Sequence, residues 1–380
     1  MDAGEDAEAL SLIMRSVDRF CAERLSADDV RRRDEAHQPP YDLLPAMARL
    51  GLMRAPFKAE HGGLGLSWLA FCRIQERLGY SAYFAGSILN RIVAFGAMPI
   101  VMFGTVAQRS ALLPRLLDGE AMVALALSEP EAGSDARAVR TSARRTGDGW
   151  IISGRKTWIS DAGEATHLLT LCRGADGDQP ALTAFLVPRR SAGIAMTPIA
   201  KVGNNCMPSF DIGFDAVPVA DDDRLGAVGE GFKTVSGALG YSRASMAATA
   251  VGCAKAALDL ALEHAKSRVQ FGKPIGEFQV IKHRLADMKF EITKAELLVA
   301  ELARRIDGGE DIDIITPMAK LAATEALQFV TAHGMQILAS AGYASESPMQ
   351  RYWRDARLFT FGEGTSEIQR EIIARHLGLR

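Results

Sequence analysis

Hydrophobic spacing changes twice along these 380 residues, and the two changes set the fold class. Leu10, Ile13, Met14, Val17 and Phe20 recur at helical spacing, which makes the first 25 residues an amphipathic helix. Further helices are predicted over 42–50, from the Ser67 cap to Leu78, over 84–103 and over 105–117. From Ala121 the period shortens. M-V-A-L-A-L, G-W-I-I-S-G-R-K-T-W-I-S, H-L-L-T-L-C, L-T-A-F-L-V and S-F-D-I-G-F read as strands, separated by turn clusters such as A-D-G-D-Q-P at 175–180. Several strands at this spacing predict a barrel or sandwich. After Asp221, Asp222 and Asp223, which read as an exposed linker, the helical period returns. Phe278, Ile281, Leu285, Met288, Ile292, Ala295, Leu298 and Leu302 then step by three and four without a break. Helices near 232–266, 277–307, 317–340 and 366–377 predict a four-helix bundle. The expectation is an α+β multidomain chain: all-helical at 1–120, β at 121–228 and a helical bundle at 229–380.

A net charge of −2 without a basic run argues against nucleic acid as a partner. The acidic start M-D-A-G-E-D-A-E lacks the basic and apolar regions of a signal peptide, and no apolar run approaches the roughly 18 residues of a membrane span. Cysteines 21, 72, 172, 206 and 253 form no C-x-x-C pair, so neither a zinc site nor a disulfide framework is expected. These features predict a soluble, cytoplasmic protein with buried thiols and no metal.

One carboxylate stands out chemically. Glu363 lies between Gly362 and Gly364, just before a helix start predicted from the S-x-x-Q spacing of Ser366 and Gln369. The glycines let a flat ligand approach the backbone and permit positive φ around the acid, a suitable way to present one base to a substrate.

The wider stretch R-D-A-R-L-F-T-F-G-E-G-T-S-E-I-Q-R resembles the closing segment of the acyl-CoA dehydrogenases, FAD enzymes that oxidise acyl thioesters to enoyl thioesters. The resemblance implies that Glu363 is the catalytic base, that Gly364 touches substrate, and that Thr365 and Glu367 close the cofactor site. L-A-L-S-E-P-E-A-G-S-D is similar to the family's flavin-contact segment, which implies Leu125, Leu127 and Ser128 at the flavin and Ser134 at both flavin and thioester arm. G-R-K-T-W-I-S implies Trp158, Ile159 and Ser160 at the isoalloxazine, where an indole supplies a wall and a hydroxyl bonds near N5. R-V-Q-F-G-K-P-I-G-E-F-Q implies Arg268, Phe271 and Gln279 reaching the pyrophosphate and adenosine of a neighbouring subunit. Gln336, Ile337 and Ser340 sit where relatives show Q-I-x-G-G, although here Ala339 and Ser340 replace the glycines.

On the substrate side, the resemblance implies Tyr241 and Arg243, with Gly240 replacing the acid of the D-x-x-R motif. Asn205 and Met207 stand where relatives often carry Arg and Ser. Anchored on M-P-I, the resemblance implies Arg91 where medium-chain relatives put a side chain at the base of the acyl cavity, and a cation there would suit a carboxylate or polar tail; the other reading of Arg91 is a surface residue or a salt bridge to the next domain. The implied partners are an acyl-CoA or carrier-bound acyl group, electron-transfer flavoprotein or another acceptor, and three further copies in a homotetramer. Rival readings are a dehydrogenase of carrier-protein acyl or aminoacyl groups, a flavin monooxygenase or oxidase, and a non-catalytic scaffold.

Overall fold

The computed structural model describes residues 3–147, 149–174 and 181–379; the turn predicted at 175–180 lies outside them. The first layer contains α1 (Ala3–Arg24), α2 (Ala27–Glu35), α3 (Leu44–Arg49), α4 (Trp68–Ser81), α5 (Tyr83–Asn90), a π-helix (Arg91–Ala97), α6 (Met98–Phe103) and α7 (Val106–Leu117). Ser67 caps α4 by accepting from the Ala70 N–H, and Thr105 with Gln108 forms a capping box on α7. Helix α2 is absent from the sequence reading because A-D-D-V-R-R-R-D-E offers no apolar stripe; Ser26 caps it instead. The single helix predicted over 84–103 is continuous, but its middle widens into the π-helix that begins at Arg91, just after Asn90.

The middle layer is one eight-stranded sheet of β1 (Val123–Ala126), β2 (Ser142–Thr146), β3 (Gly149–Ser160), β4 (His167–Arg173), β5 (Leu182–Pro188), β6 (Ile194–Ile199), β7 (Ser209–Ala220) and β8 (Arg224–Leu225). The strand order is β6-β7-β3-β2-β4-β5-β8, with β1 parallel to β4. Strands β2, β6 and β8 were not anticipated. S-A-R-R-T is mostly exposed, I-A-M-T-P-I carries a proline tolerated because β6 is an edge strand, and β8 has only two residues.

The last layer holds α8 (Gly231–Ser267), a hairpin of β9 (Val269–Gln270) and β10 (Lys273–Pro274), α9 (Gln279–Gly308), α10 (Ile315–Leu338), α11 (Ser340–Tyr343), α12 (Pro348–Phe359) and α13 (Ser366–His376). Helices α8, α9 and α10 pack together as expected. The unanticipated α12 packs on both α8 and α10, whereas α13, predicted as the fourth bundle helix, packs on α10. Small residues let α8 approach α4 closely. A Cβ at Gly252 would lie 2.0 Å from the Glu76 carbonyl oxygen, and one at Gly79 would lie 2.3 Å from that of Thr249. That close contact joins the first and last layers and holds the α5 terminus against α8. Two continuous helical stretches, Tyr83–Phe103 and Gly231–Ser267, are long and apolar enough to cross a membrane, and each is 72% buried inside the fold, as core helices are. All five cysteines are buried.

Candidate active site

Glu363 occupies the loop between α12 and α13 at φ 58°, a left-handed conformation that a side chain adopts only when its surroundings hold it there. Three side chains do so by capturing carbonyls. Arg243 Nε donates to the Glu363 carbonyl at 3.0 Å, and Lys320 Nζ and Gln369 Nε2 donate to that of Gly364 at 2.9 and 3.0 Å. Gln369 is therefore not the capping partner predicted for Ser366. The helix starts at Ser366, so Thr365 is the cap instead, accepting from the Ile368 N–H at 3.2 Å, and the Gln369 amide is taken by the loop.

The carboxylate is held at one oxygen only. Ser242 Oγ donates to Glu363 Oε1 at 2.6 Å and Asn90 Nδ2 at 3.3 Å, while Oε2 is out of solvent and has no partner among the described residues. Burial raises the Glu363 pKa, and the Ser242 hydroxyl, Arg91, Arg243 and Lys320 oppose that rise. Lys320 is fully buried, and desolvation brings its pKa down to about 8. A desolvated carboxylate with one fixed and one free oxygen, on a rigid loop, is arranged to remove a proton.

Arg91 begins the π-helix and points its Nε at Asp161 Oδ2, 3.0 Å away at the end of β3. Asp161 is fully buried and also accepts from the Tyr41 hydroxyl at 3.0 Å. The guanidinium thus bridges the helical and β layers. Tyr241 lies beside Trp68, with ring centroids 5.0 Å apart.

The flavin-side residues gather on the sheet. Trp158 stands at φ 59° where the β3–β7 register shifts between Lys156 and Ile159, and this bulge leaves its indole 55% exposed. Ile159 is buried in the core. Ser160 is half-buried beside Ser209. Leu125, Leu127 and Ser128 are half-buried and Ser134 exposed along the segment that leaves β1. A buried pair fastens that segment: Lys156 Nζ donates to Glu129 Oε1 at 2.8 Å and to the Leu127 carbonyl at 3.0 Å. Glu129 also accepts from the Arg140 and Thr141 N–H groups at 2.6 and 2.9 Å. Burial acts to raise the Glu129 pKa, but these donors hold it below the usual value.

Other predicted contacts lie apart from the base. Arg268, Phe271 and Gln279 are exposed on or beside the β9–β10 hairpin, with Phe271 at 94%. Thr365 and Glu367 line an open cavity of about 310 Å³ with Gln328, Arg357 and Phe361. Gln336 and Ser340 are exposed and Ile337 is buried. Between them Ala339 takes φ 51°, ψ −133°, a region suited to glycine. Ala339→Gly should relieve this strain and raise stability by about 1 kcal/mol, read as a higher unfolding midpoint.

Six residues were missed by sequence reasoning. Glu129 and Lys156 sit inside quoted motifs, and Asn90 and Ser242 adjoin quoted residues, so each had a faint signal. Lys320 had none, because it acts on a carbonyl 44 residues away, and the loop role of Gln369, five residues from its carbonyl, was hidden behind the capping pattern.

An exposed indole on a bulge, a fastened hydrogen-bonding segment beside it and a buried base define a fold and site fit for a flat redox cofactor and an acyl substrate. Family models described as the N-terminal, middle and C-terminal domains of acyl-CoA dehydrogenase match residues 7–120, 124–217 and 229–378. The chain belongs to the acyl-CoA dehydrogenase family. The probable acyl-CoA dehydrogenase YngJ of Bacillus subtilis is 36% identical over 96% of this chain and 97% of its own. The mitochondrial short-chain specific acyl-CoA dehydrogenase of Bos taurus is 35% identical over 96% and 89%. Among solved structures, a glutaryl-coenzyme A dehydrogenase with glutaryl-CoA superposes with TM-score 0.92 at 32% identity, covering 98% of this chain and 96% of that one. The prolyl acyl carrier protein oxidase AnaB gives 0.91 at 27%, covering 97% and 99%, and PigA with FAD and proline gives 0.93 at 27%, covering 98% of each.

Proposed function

We propose that this chain oxidises the α,β-bond of an acyl thioester to the trans-2-enoyl thioester, with Glu363 as the base. The enzyme is an oxidoreductase of CH–CH bonds and its cofactor is FAD, which supplies the acceptor for the β-hydrogen as hydride. The observation that carries the reading is the buried carboxylate with Oε1 anchored and Oε2 free. Oε2 takes the α-proton, Ser242 and Asn90 keep the carboxylate from rotating, and the capped carbonyls of Glu363 and Gly364 keep the loop from yielding. The Glu363 N–H would polarise the thioester oxygen as charge develops there. Leu125, Leu127, Ser128, Ser134, Trp158 and Ser160 would hold the ring. Arg268, Phe271 and Gln279 would serve a neighbouring copy's FAD in a homotetramer, along with that copy's own Gln336, Ser340, Thr365 and Glu367. Tyr241, Arg243 and Gly364 would border the thioester. Electron-transfer flavoprotein is the expected acceptor, in the cytoplasm.

A second reading, dehydrogenation of a carrier-bound aminoacyl group, draws support from Gly240, whose Cβ position is open but for Ile312, and from the likeness to the prolyl carrier-protein oxidase. Anaerobic bleaching of the flavin band by a panel of acyl-CoAs and acyl carrier proteins tests both. Rapid bleaching by acyl-CoAs supports the first reading, by acyl carriers alone the second, and by neither removes both.

The raised pKa of Glu363 has a kinetic consequence. The base works ionised, so kcat/KM falls as pH drops through that pKa, at higher pH than for an ordinary glutamate. Ser242→Ala removes a donor that lowers the pKa, so the acid limb of the profile should move further up.

A further inference from the structure

The candidate site holds a second buried acceptor that proton removal does not use. Glu363 Oε2 lacks a partner because its partner is the substrate proton. Asn90 Oδ1 is also buried and, among the described residues, no donor reaches it. Asn90 is 5% exposed, at the α5 terminus. Its amide orientation is fixed by its neighbours. Nδ2 donates to Ser242 Oγ at 2.9 Å and to Glu363 Oε1 at 3.3 Å, and Ser242 has already given its single proton to Glu363. Turning the amide over would press its oxygen against an ionised carboxylate. The nitrogen therefore faces the base, and the oxygen is left beside it without a donor.

The adjacent cation does not answer this need. Arg91 Nε is committed to the buried Asp161, whose other oxygen is held by Tyr41. A tail carboxylate would meet a carbonyl oxygen and the charge of Glu363, whereas a donor would meet two acceptors. A donor would pair the already buried and unsatisfied Asn90 Oδ1, whereas a plain alkyl group would leave it unpaired and gain nothing there.

We propose that Asn90 is a specificity-determining residue that selects acyl groups carrying an N–H or O–H donor within a few atoms of the reacting carbons. This rests on the dehydrogenase reading above. Two matched pairs test it: 5-hydroxypentanoyl-CoA against hexanoyl-CoA, and prolyl against cyclopentanecarbonyl thioesters on one carrier. In each, the donor-bearing member should be favoured about 10-fold or more in kcat/KM for flavin reduction. Asn90→Leu should bring the ratio towards one. Ser242→Ala removes one acceptor of Asn90 Nδ2 but keeps its bond to Glu363 Oε1, which still orients the amide, so it should slow both members and preserve the ratio. Asn90→Ala serves if the leucine variant does not fold. A wild-type ratio near one, as when an ordered water satisfies the oxygen, overturns the proposal, and so does a ratio unchanged in Asn90→Leu. Should no thioester reduce the flavin, the dehydrogenase reading fails. Affinities of the same pairs, from shifts of the flavin band, then decide: tighter donor binding upholds the role of Asn90, and equal binding ends it.

Discussion

Glu363→Gln is expected to slow thioester-driven flavin reduction by about 10²–10⁴-fold, the usual contribution of a positioned general base, while the protein stays folded and yellow. Glutamine has the same shape, and its carbonyl can still accept from Ser242 Oγ in place of Oε1. The backbone bonds from Arg243 and Lys320 do not involve the side chain and survive the change. Only the proton acceptor is lost. Stability should be unchanged or slightly higher at neutral pH, because a desolvated charge is replaced by a neutral amide. Stopped-flow reduction and a thermal melt on the same preparation separate these effects. Wild-type reduction rates in the variant would mean that the base lies elsewhere, whereas a collapse of melt and rate together would show Glu363 acting structurally.

Some segments were legible because they bury one face and so carry a period, whereas β4 and β5, buried on both faces, were legible as short continuous apolar runs. The Phe278 to Leu302 stripe is α9, and the Phe210, Ile212, Phe214 alternation is β7. Elements with neither signal were not legible: α2 is charged throughout, and β2 is mostly exposed. Helix α12 was overlooked although it is amphipathic, because its R-Y-W-R-D-A-R-L-F was read only as the approach to Glu363. The same division runs through the site. Glu363, Trp158 and Ser128 are announced by local motifs. Asn90 and Lys320 meet the Glu363 loop only through tertiary packing, and a π-helix leaves no distinct apolar period to read. Arg91 was visible as a cation, but its partner Asp161 lies 70 residues away on the β layer.

That kind of long-range pairing makes Lys156 the position where a substitution should do most damage to the fold. Lys156→Met removes a fully buried ammonium and leaves Glu129, 5% exposed, with an uncompensated carboxylate. Breaking such a pair on one side costs about 3–5 kcal/mol, whereas replacing both partners by apolar groups is often close to neutral. Here the double replacement Lys156→Met with Glu129→Leu should recover only part of the loss. Glu129 also accepts from the Arg140 and Thr141 N–H groups, and Lys156 also holds the Leu127 carbonyl, so those backbone groups would remain unpaired. The pH dependence has a defined sign. Without Lys156, burial is less opposed and the folded-state pKa of Glu129 rises relative to that in the intact pair, so the penalty is largest at neutral pH and shrinks as pH falls and the acid protonates. FAD retention should fall in parallel, because the Leu127–Ser134 segment is fastened through this pair. Melts of the single and double variants at pH 5 and pH 7, with bound flavin measured from the same samples, check each step. A single variant as stable as wild type at pH 7 and fully loaded with FAD would show that the segment is held by its backbone bridges alone.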